Sequence, residues 1–258
     1  MADMKICSVL VTGSNRGIGL ELIKKFTSQS KPPEKIFATC RDPDSSRAEE
    51  LRNLALKHSN VVLLQLDATN ADSVKGTVTQ VEKHLNGSGL NLLINNAGIM
   101  SRVDLQNVDC DDMINVFKTN VVGPLQVSQA FYPLLKKSAA DHAHEALGCR
   151  RAALVNMSSV LGSIDKTSIT FDVSKQVISY RVSKAALNML TRCQAEGYKN
   201  DGILCTAIHP GWVKTDMGTQ RALLTTDESV TGIINVLSSL SEKQNGNLVS
   251  WDGNVIPW

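Results

Sequence analysis

Tyr180 and Lys184 are the residues of this sequence whose types and spacing best suit proton transfer. Four positions apart in a helix, they lie on one face about 6 Å apart along the axis, so an ammonium sits beside a phenol. At an effective dielectric near 20, a positive charge about 4 Å away favours the phenolate by roughly 4 kcal/mol. We expect this interaction to bring the tyrosine pKa from about 10 towards about 7, where the residue exchanges protons at neutral pH.

The same spacing occurs a second time, at Tyr132 and Lys136. Pro133 follows that tyrosine and is expected to disturb the helix that the pair requires. No serine-bearing strand precedes it, whereas Ser159 ends the predicted strand before Tyr180. The sequence therefore favours Tyr180 as the proton donor.

Strand and helix patterns alternate along the chain and position these residues. Buried strands are predicted at residues 5–11, 35–40, 61–66, 91–94, 152–157, 203–209 and 247–251, and helices at 109–118, 121–137, 178–198 and 226–240. No linker or repeat interrupts the alternation. The sequence predicts one domain over residues 1–258, with an α/β, Rossmann-like doubly wound sheet of about seven parallel strands and helices on both faces.

A glycine-rich loop joins the first predicted strand to a helix, and it reads Thr12-Gly13-Ser14-Asn15-Arg16-Gly17-Ile18-Gly19. Gly13 allows a tight turn, while Gly17 and Gly19 let the backbone approach a pyrophosphate and let the helix pack on its strand. The pyrophosphate then faces the N–H groups at the start of the helix. The loop predicts a dinucleotide-binding site.

The residues after the second strand favour NADP(H) over NAD(H). In dinucleotide-binding folds, an acid about 20 residues beyond the glycine loop holds the ribose hydroxyls of NAD. Cys40 occupies that place and Arg41 follows it. Arg41 and Arg16 can share the charge of a 2′-phosphate. Asp42 argues for NAD(H), unless it caps the following helix.

Polar residues also follow the next strands. Because ligands bind at the carboxyl ends of the strands in open parallel sheets, we expect Asp67, Asn96, Ala97 and Gly98 to lie beside the cofactor. A helix N-cap is the alternative for Asp67. Asn120 lies where two predicted helices meet, a place usually taken by a cap or a turn.

Composition excludes several classes of function. Of 258 residues, 42% are apolar and 20% charged, and the net charge of +2 includes no basic run of the kind that binds nucleic acid or anionic membranes. No apolar run is long enough to span a bilayer, and the amino terminus does not read as a secretory signal.

Six dispersed cysteines without a CxxC pair indicate reduced thiols in the cytoplasm. The isolated pair His142 and His144 is interpreted as a solvated loop, so no metal site is expected.

On these residues the chain resembles the short-chain dehydrogenases and reductases over nearly its whole length. The family's motifs occur in the family's order, at residues 12–19, 95–98, Asn120, Ser159, Tyr180, Lys184 and Pro210-Gly211. Within the family the chain is similar to carbonyl reductases, at residues 156–159, 161–163, 209–218 and 251–258.

The resemblance implies NADPH-dependent reduction of a small-molecule aldehyde, ketone or quinone to an alcohol. Tyr180 would donate the proton, Lys184 would stabilise the phenolate and bind the nicotinamide ribose, and Ser159 would hold the carbonyl. Ser159 is preferred to Ser158 because the family's active serine stands three residues before a glycine. Asn120 would keep a water in a proton relay through Lys184. Further cofactor contacts are expected at Pro210, Gly211, Val213 and Thr215.

Relatives usually associate through the helices that precede and contain the catalytic pair, which implies a homodimer or homotetramer. Two alternatives to a reductase remain. One is an NADP-dependent alcohol or hydroxysteroid dehydrogenase, and the other is a non-catalytic NADP-sensing interaction protein. Residues 163–177 form a longer connection than in many relatives, at the place of a substrate wall.

Overall fold

Eight strands form one sheet, in the order β3-β2-β1-β4-β5-β6-β7-β8, in a computed structural model that describes residues 4–172 and 174–258. The strands are β1 (Ser8–Thr12), β2 (Lys35–Cys40), β3 (Val61–Gln65), β4 (Leu92–Asn95), β5 (Ala153–Met157), β6 (Leu204–His209), β7 (Leu248–Ser250) and β8 (Val255–Ile256). The helices are α1 (Gly17–Thr27), α2 (Glu49–Lys57), α3 (Ala71–Leu85), α4 (Cys110–Phe117), α5 (Gly123–Asp141), α6 (Thr167–Thr170), α7 (Ile178–Gly197) and α8 (Thr226–Ser239).

The sheet confirms the predicted doubly wound architecture. Strands β1 to β7 pair in parallel, and β8 adds an antiparallel edge to β7. The pattern did not predict β8, because a strand of two residues has no period to detect. After β3 the chain returns to place β4 beside β1, so the strand order reverses between these two strands. Their carboxyl ends therefore open the crevice in which such sheets bind ligands.

Both faces of the sheet are covered, which explains why its strands read as nearly continuous apolar runs. Along β1, Val9 and Val11 belong to one buried cluster, while Leu10 belongs to a second cluster on the opposite face. Helices α1 and α8 cover the first cluster, and α3 and α5 cover the second. Full burial of a side chain such as Leu10 contributes roughly 1.5–3 kcal/mol to folding.

The helix around Pro133 corrects one expectation. Helix α5 continues through this proline to Asp141. The proline ring removes one backbone N–H from the helical ladder. The flanking Phe131, Leu134 and Leu135 are buried in the core, and their packing holds the helix across that gap. The argument that Pro133 breaks the helix carrying Tyr132 and Lys136 is therefore wrong. The contacts of Tyr132, given below, must decide whether it is a proton donor.

Asn120 lies in neither a cap nor a turn, the two usual places of a lone asparagine at a helix junction. It sits in a π-helical segment, Lys118–Val122, that joins α4 to α5 without a break. The wider turn inserts an extra residue in the helix, a feature frequent at functional sites.

Among residues 4–172 and 174–258, no helix is both long and apolar enough to cross a membrane.

Candidate active site

Helix α7 brings Tyr180 and Lys184 to the carboxyl edge of the sheet. The helix buries Lys184, whose Nζ donates a hydrogen bond of 2.8 Å to the main-chain oxygen of Met157, the last residue of β5. The same Nζ lies 5.4 Å from the centre of the Tyr180 ring. The predicted pair therefore exists, and the end of β5 fixes the direction of the lysine.

The acidity of Tyr180 differs from the expected value. Burial raises the pKa of this phenol to about 12, and hydrogen bonding with Ser159 offsets only part of that rise. Burial also lowers the pKa of Lys184 to about 8. The expectation of a tyrosine pKa near 7 is wrong, because desolvation of the phenolate outweighs the hydrogen bond from Ser159. At neutral pH Tyr180 holds its proton.

The two neighbouring serines at the end of β5 have different surroundings. The hydroxyl of Ser158 donates to the Asn188 side chain at 2.6 Å, inside the protein. The hydroxyl of Ser159 accepts from the Leu161 N–H at 3.1 Å and also contributes to the pKa of Tyr180. A hydrogen bond that lowers a phenol pKa is donated to the phenolate, so the Ser159 proton is directed at the Tyr180 oxygen. The preference for Ser159 thus has support beyond the glycine spacing.

Asn120 joins this cluster from the junction of α4 and α5. It is fully buried, and its side chain donates to the Ile99 oxygen and accepts from the Ile99 N–H, both at 2.9 Å. It also donates to the Ser183 hydroxyl at 3.0 Å. A Cβ placed on Gly98 would lie 3.2 Å from Asn120 Oδ1 and 3.8 Å from Lys184 Nζ. Residues 98, 120 and 184 are therefore neighbours, which is consistent with the relay that the family resemblance implies for Asn120 and Lys184.

The glycine loop has the geometry that its sequence requires. Gly13 and Gly17 have φ values of +68° and +55°, in the left-handed region that favours glycine. A Cβ on Gly19 would lie 2.2 Å from the Gly13 oxygen, so only glycine allows this close packing of helix and turn. The amino end of α1 has no side-chain cap and no acid in its first turn. Such an end suits an anion.

Thr12 organises the turn after β4, and sequence reasoning gave it no role of its own. Its buried hydroxyl accepts from the N–H groups of both Asn96 and Ala97 at 3.0 Å. The Asn96 side chain donates to the main-chain oxygens of Thr12 and Gly13, at 2.9 and 3.1 Å. These bonds lock the predicted residues 96–98 against the glycine loop. The signal was present, since a threonine stands directly before Gly13.

The other members of the loop have separate environments. The Ser14 hydroxyl donates to the Val11 oxygen at 2.8 Å, and its N–H donates to Thr39 at 2.9 Å. The Ile18 side chain is partly buried and packs against the core cluster. Asn15 lines a surface cavity of about 410 Å³ together with Arg16.

Three arginines lie near the predicted adenosine end of the site. Arg16 lines the cavity together with Arg47, a residue that the sequence reasoning missed six positions after Arg41. Arg41 is exposed directly after β2, outside the lining of that cavity. The Asp42 carboxylate accepts from the N–H groups of residues 44 and 45, at 3.1 and 3.2 Å. Asp42 therefore stabilises the turn before α2. This local role resembles the helix cap that was the alternative to binding a ribose.

The N-cap alternative for Asp67 is wrong, because Asn70 caps α3 by accepting from the Ser73 N–H at 2.9 Å. The Asp67 carboxylate accepts from the N–H and hydroxyl of Thr69, at 2.9 and 2.8 Å. It thus closes a local turn after β3. The placement of Asp67 beside a cofactor stays a prediction.

The segment after β6 lies against the glycine loop. Gly211 has a φ of +84°, and the Pro210 oxygen accepts from a hydroxyl of α8 at 2.6 Å. Val213 is buried and forms a parallel bridge with Leu224. A Cβ on Gly17 would lie 3.3 Å from Thr215 Cγ2. Next to it, the Asp216 carboxylate forms an ion pair with Arg16. Thr215 and the glycine loop are therefore brought together.

Tyr132, the second tyrosine with a lysine four positions on, has structural partners. Its hydroxyl donates to the Asp201 carboxylate at 2.6 Å, and Lys136 pairs with the same carboxylate at 2.8 Å. Its ring packs on Tyr198 at 4.8 Å between centroids. This carboxylate raises the pKa of Tyr132, with no serine hydroxyl among the causes. The preference for Tyr180 thus rests on these contacts.

Comparison with known proteins agrees with this geometry. The model of the short chain dehydrogenase family matches residues 8–226. The structure is similar to an NADPH-bound carbonyl reductase from chicken fatty liver, at 50% identity and a TM-score of 0.93, covering 98% of this chain and 99% of that one. It is also similar to the carbonyl reductase Sniffer of D. melanogaster, at 39% identity and a TM-score of 0.93, covering 98% and 100%.

A curated relative extends the comparison beyond animals. An uncharacterised oxidoreductase of Schizosaccharomyces pombe is 30% identical over 265 residues, which cover 96% of each chain. The predicted likeness to carbonyl reductases is confirmed by the two solved structures. The chain belongs to the short-chain dehydrogenase family, and within it the two solved carbonyl reductases share its whole fold.

Proposed function

We propose that this protein reduces small carbonyl compounds, such as aldehydes, ketones or quinones, to alcohols with NADPH as hydride donor. The observation that carries the proposal is the meeting of four side chains at the carboxyl edge of the sheet. Tyr180 lies beside Ser159 and Lys184, and Asn120 adjoins Lys184 across Gly98. A carbonyl oxygen placed among these groups finds a proton, a hydrogen-bond donor and a positive charge.

The residues present fit a dinucleotide. The left-handed glycines and the uncapped amino end of α1 form a cradle for a pyrophosphate. Arg16, Arg41 and Arg47 supply positive charge for a 2′-phosphate, and no acid stands at position 40. The similar chicken enzyme has NADPH bound. We therefore assign NADP(H) as the cofactor.

Each side chain has a distinct role in this proposal. NADPH, when bound, supplies a hydride to the carbonyl carbon. Tyr180 gives its proton to the carbonyl oxygen, and Ser159 donates a hydrogen bond that orients that oxygen. Lys184 offsets the negative charge left on the phenol and contacts the nicotinamide ribose. Asn120 fixes the junction beside Lys184 and holds a relay water there.

The protonation state of Tyr180 suits a proton donor, because burial raises the pKa of this phenol to about 12 and the residue holds its proton at neutral pH. An alcohol or hydroxysteroid dehydrogenase uses the same residue as a base with NADP⁺ bound, so assays in both directions separate the two functions. A non-catalytic NADP sensor needs the glycine cradle but not a half-buried tyrosine beside a serine and a lysine.

An apolar face on α4 and α7 supports association of two copies. Exposed Ile114, Phe117 and Val182 surround a cavity of about 410 Å³, which Met113 and Val122 also line. Exposed apolar patches of this kind mark interaction sites, and a twofold axis lets one patch meet its own copy. We propose a homodimer through this face, whereas a homotetramer needs a second contact face.

The free cysteines suit a reducing cytoplasm, which we propose as the location of the protein.

A substrate panel tests the proposed function. The absorbance of reduced nicotinamide is followed with purified protein and a series of aldehydes, ketones and quinones, using NADPH and then NADH. We expect turnover with NADPH and a much lower kcat/KM with NADH. Efficient oxidation of alcohols with no reduction of carbonyls would support the dehydrogenase alternative, and tight NADPH binding without any turnover would support the sensor.

A further inference from the structure

The connection between Ser159 and Tyr180 is fastened to the rest of the protein near both of its ends. The Ser163 hydroxyl donates to the Pro257 oxygen, and the Asp165 N–H donates to the Trp258 oxygen at 3.0 Å. At the other end, the Ile178 N–H donates to the Val103 oxygen, on the segment after β4, at 3.2 Å. The connection therefore spans the carboxyl edge of the sheet beside the two residues it joins.

Arg181 fastens the middle of this connection. Its guanidinium donates to the main-chain oxygen of Thr170 at 2.7 Å and to the Ser174 hydroxyl at 2.6 Å. It also donates to the Thr170 hydroxyl at 3.2 Å and lies 5.6 Å from the centre of the Phe171 ring. An arginine fork that satisfies several acceptors at once fixes geometry more strictly than a single hydrogen bond.

The position of Arg181 links this anchor to the reaction site. It directly follows Tyr180 in α7, so the two side chains leave the helix about 100° apart. Tyr180 is directed to Ser159, whereas Arg181 is directed to α6 and is only 7% exposed. A buried arginine loses most of its hydration, and here the hydrogen bonds of the two terminal nitrogens offset part of that cost, while the buried Nε has no partner among the described residues.

We infer that Arg181 is a positioning residue that sets the wall of the substrate pocket, by holding the connection formed by residues 163–172 and 174–177 at a fixed distance from Tyr180. The inference rests on the proposed reductase function. Arg181 touches neither the reacting carbonyl nor the cofactor in this assignment. It determines which carbonyl compounds fit, since bulky substrates need the wall in place while the smallest aldehydes contact it little.

The test replaces Arg181 with Met, which keeps the apolar stem and removes the guanidinium. For bulky carbonyl substrates we expect KM to rise roughly 10- to 100-fold, the scale of a misplaced substrate. For the smallest aldehydes kcat/KM stays near the wild-type value, and the NADPH affinity is unchanged. Arg181→Lys, which keeps the charge but not the fork, restores only part of the loss.

Trypsin provides a readout that is independent of activity. Lys166 and Lys175 lie in the connection, and Lys175 is exposed. Loosening the connection in Arg181→Met should speed cleavage at these two lysines, as measured by mass spectrometry of the fragments. Arg192→Met is the matched control, because Arg192 lies on the same helix and pairs with Glu196 at the surface. That control should keep the wild-type kinetics and cleavage rate.

A double variant guards against a failure of Arg181→Met to fold. Thr170→Val with Ser174→Ala removes two side-chain acceptors and leaves Arg181 and the main-chain acceptor in place. It should show the same changes in smaller measure. An equal loss of kcat/KM for small and bulky substrates, a parallel loss of NADPH affinity, or unchanged cleavage at both lysines would overturn the inference.

Failure of the reductase assignment gives a different pattern. Wild-type protein would then turn over no carbonyl compound with NADPH, while the cleavage measurement would still report whether Arg181 holds the connection. Faster cleavage without a substrate-dependent rise in KM in an active enzyme would mean that the connection is anchored by Arg181 but does not bound the pocket, which also overturns the inference.

Discussion

The ammonium of Lys184 points at the end of β5 and lies beside the Tyr180 ring, 5.4 Å from its centre. Lys184 is buried and Tyr180 is half-buried, and their pKa values move in opposite directions from their ordinary values, to about 12 for Tyr180 and about 8 for Lys184. Burial thus keeps the phenol protonated and leaves the ammonium only modestly stable. Tyr180 is therefore present as a proton donor. As the pH rises, Lys184 loses its proton before Tyr180 does.

The pH dependence of reduction should follow Lys184. Below pH about 8 the lysine is charged and Tyr180 is protonated, so kcat/KM for a carbonyl substrate should be constant. Above that pH the lysine loses its proton, and kcat/KM should fall about tenfold per pH unit. A pH–rate profile measured with saturating NADPH checks this. A profile that stays level to pH 10 would contradict the role given to Lys184.

Lys184→Met should abolish most activity and yet stabilise the protein at neutral pH. The folded-state pKa of Lys184 lies below its unfolded value of 10.5, so charging this buried lysine costs about 3 kcal/mol at pH 7. Methionine removes that cost, and the lost bond to Met157 returns only about 1 kcal/mol of it. The sign follows from proton binding, since the unfolded chain holds more protons between pH 8 and 10.5.

Wild-type stability should consequently rise with pH across that window relative to the variant. Urea unfolding of both proteins at pH 7 and pH 10 measures the difference. We expect the advantage of Lys184→Met at pH 7 to disappear near pH 10. An advantage that is the same at both pH values would show that packing, not charge burial, is responsible.

Arg41 sets the preference for NADPH in this account. Arg41→Asp removes one positive charge from the 2′-phosphate site and introduces a carboxylate able to bind ribose hydroxyls. The KM for NADPH should rise roughly 10- to 100-fold, the size expected for loss of a charge-assisted hydrogen bond. NADH lacks that phosphate and can use the new carboxylate, so its kcat/KM should stay level or rise. Equal effects on both cofactors would place Arg41 outside the phosphate site.

Gly19 should not tolerate a side chain. A Cβ at this position would lie 2.2 Å from the Gly13 oxygen and 2.6 Å from Asn96 Nδ2, so Gly19→Ala must displace the loop or the turn after β4. We expect loss of NADPH binding, measured by fluorescence titration. Gly76→Ala is the matched control in α3, where a Cβ meets nothing within 4 Å. That change should stabilise the protein by up to about 1 kcal/mol and leave binding intact.

Sequence reasoning recovered the features that depend on local pattern. The alternation of strands and helices and the strand-to-helix place of the glycine loop are periodic or positional signals, and the structure confirms them. Residue spacing also placed Tyr180 beside Lys184, because one helical turn determines that distance. These predictions needed no knowledge of distant contacts.

The features that sequence reasoning missed depend on tertiary surroundings. The acidity of Tyr180 is set mainly by how deeply α7 is buried, which no spacing reveals. Pro133 is tolerated because its helix packs into the core on both sides of it. Asn70 rather than Asp67 caps α3 because the chain first closes a turn with Thr69. Each of these features depends on neighbours that are distant in sequence or on burial, neither of which residue spacing reports.

The most direct test of the account compares two tyrosines that each precede a lysine by four residues. Tyr180→Phe and Tyr132→Phe are assayed for NADPH consumption with a reducible carbonyl compound, alongside NADPH binding. We predict that Tyr180→Phe binds NADPH normally but loses at least about 100-fold in kcat, while Tyr132→Phe retains wild-type turnover. Normal turnover in Tyr180→Phe would contradict the claim that this phenol supplies the proton.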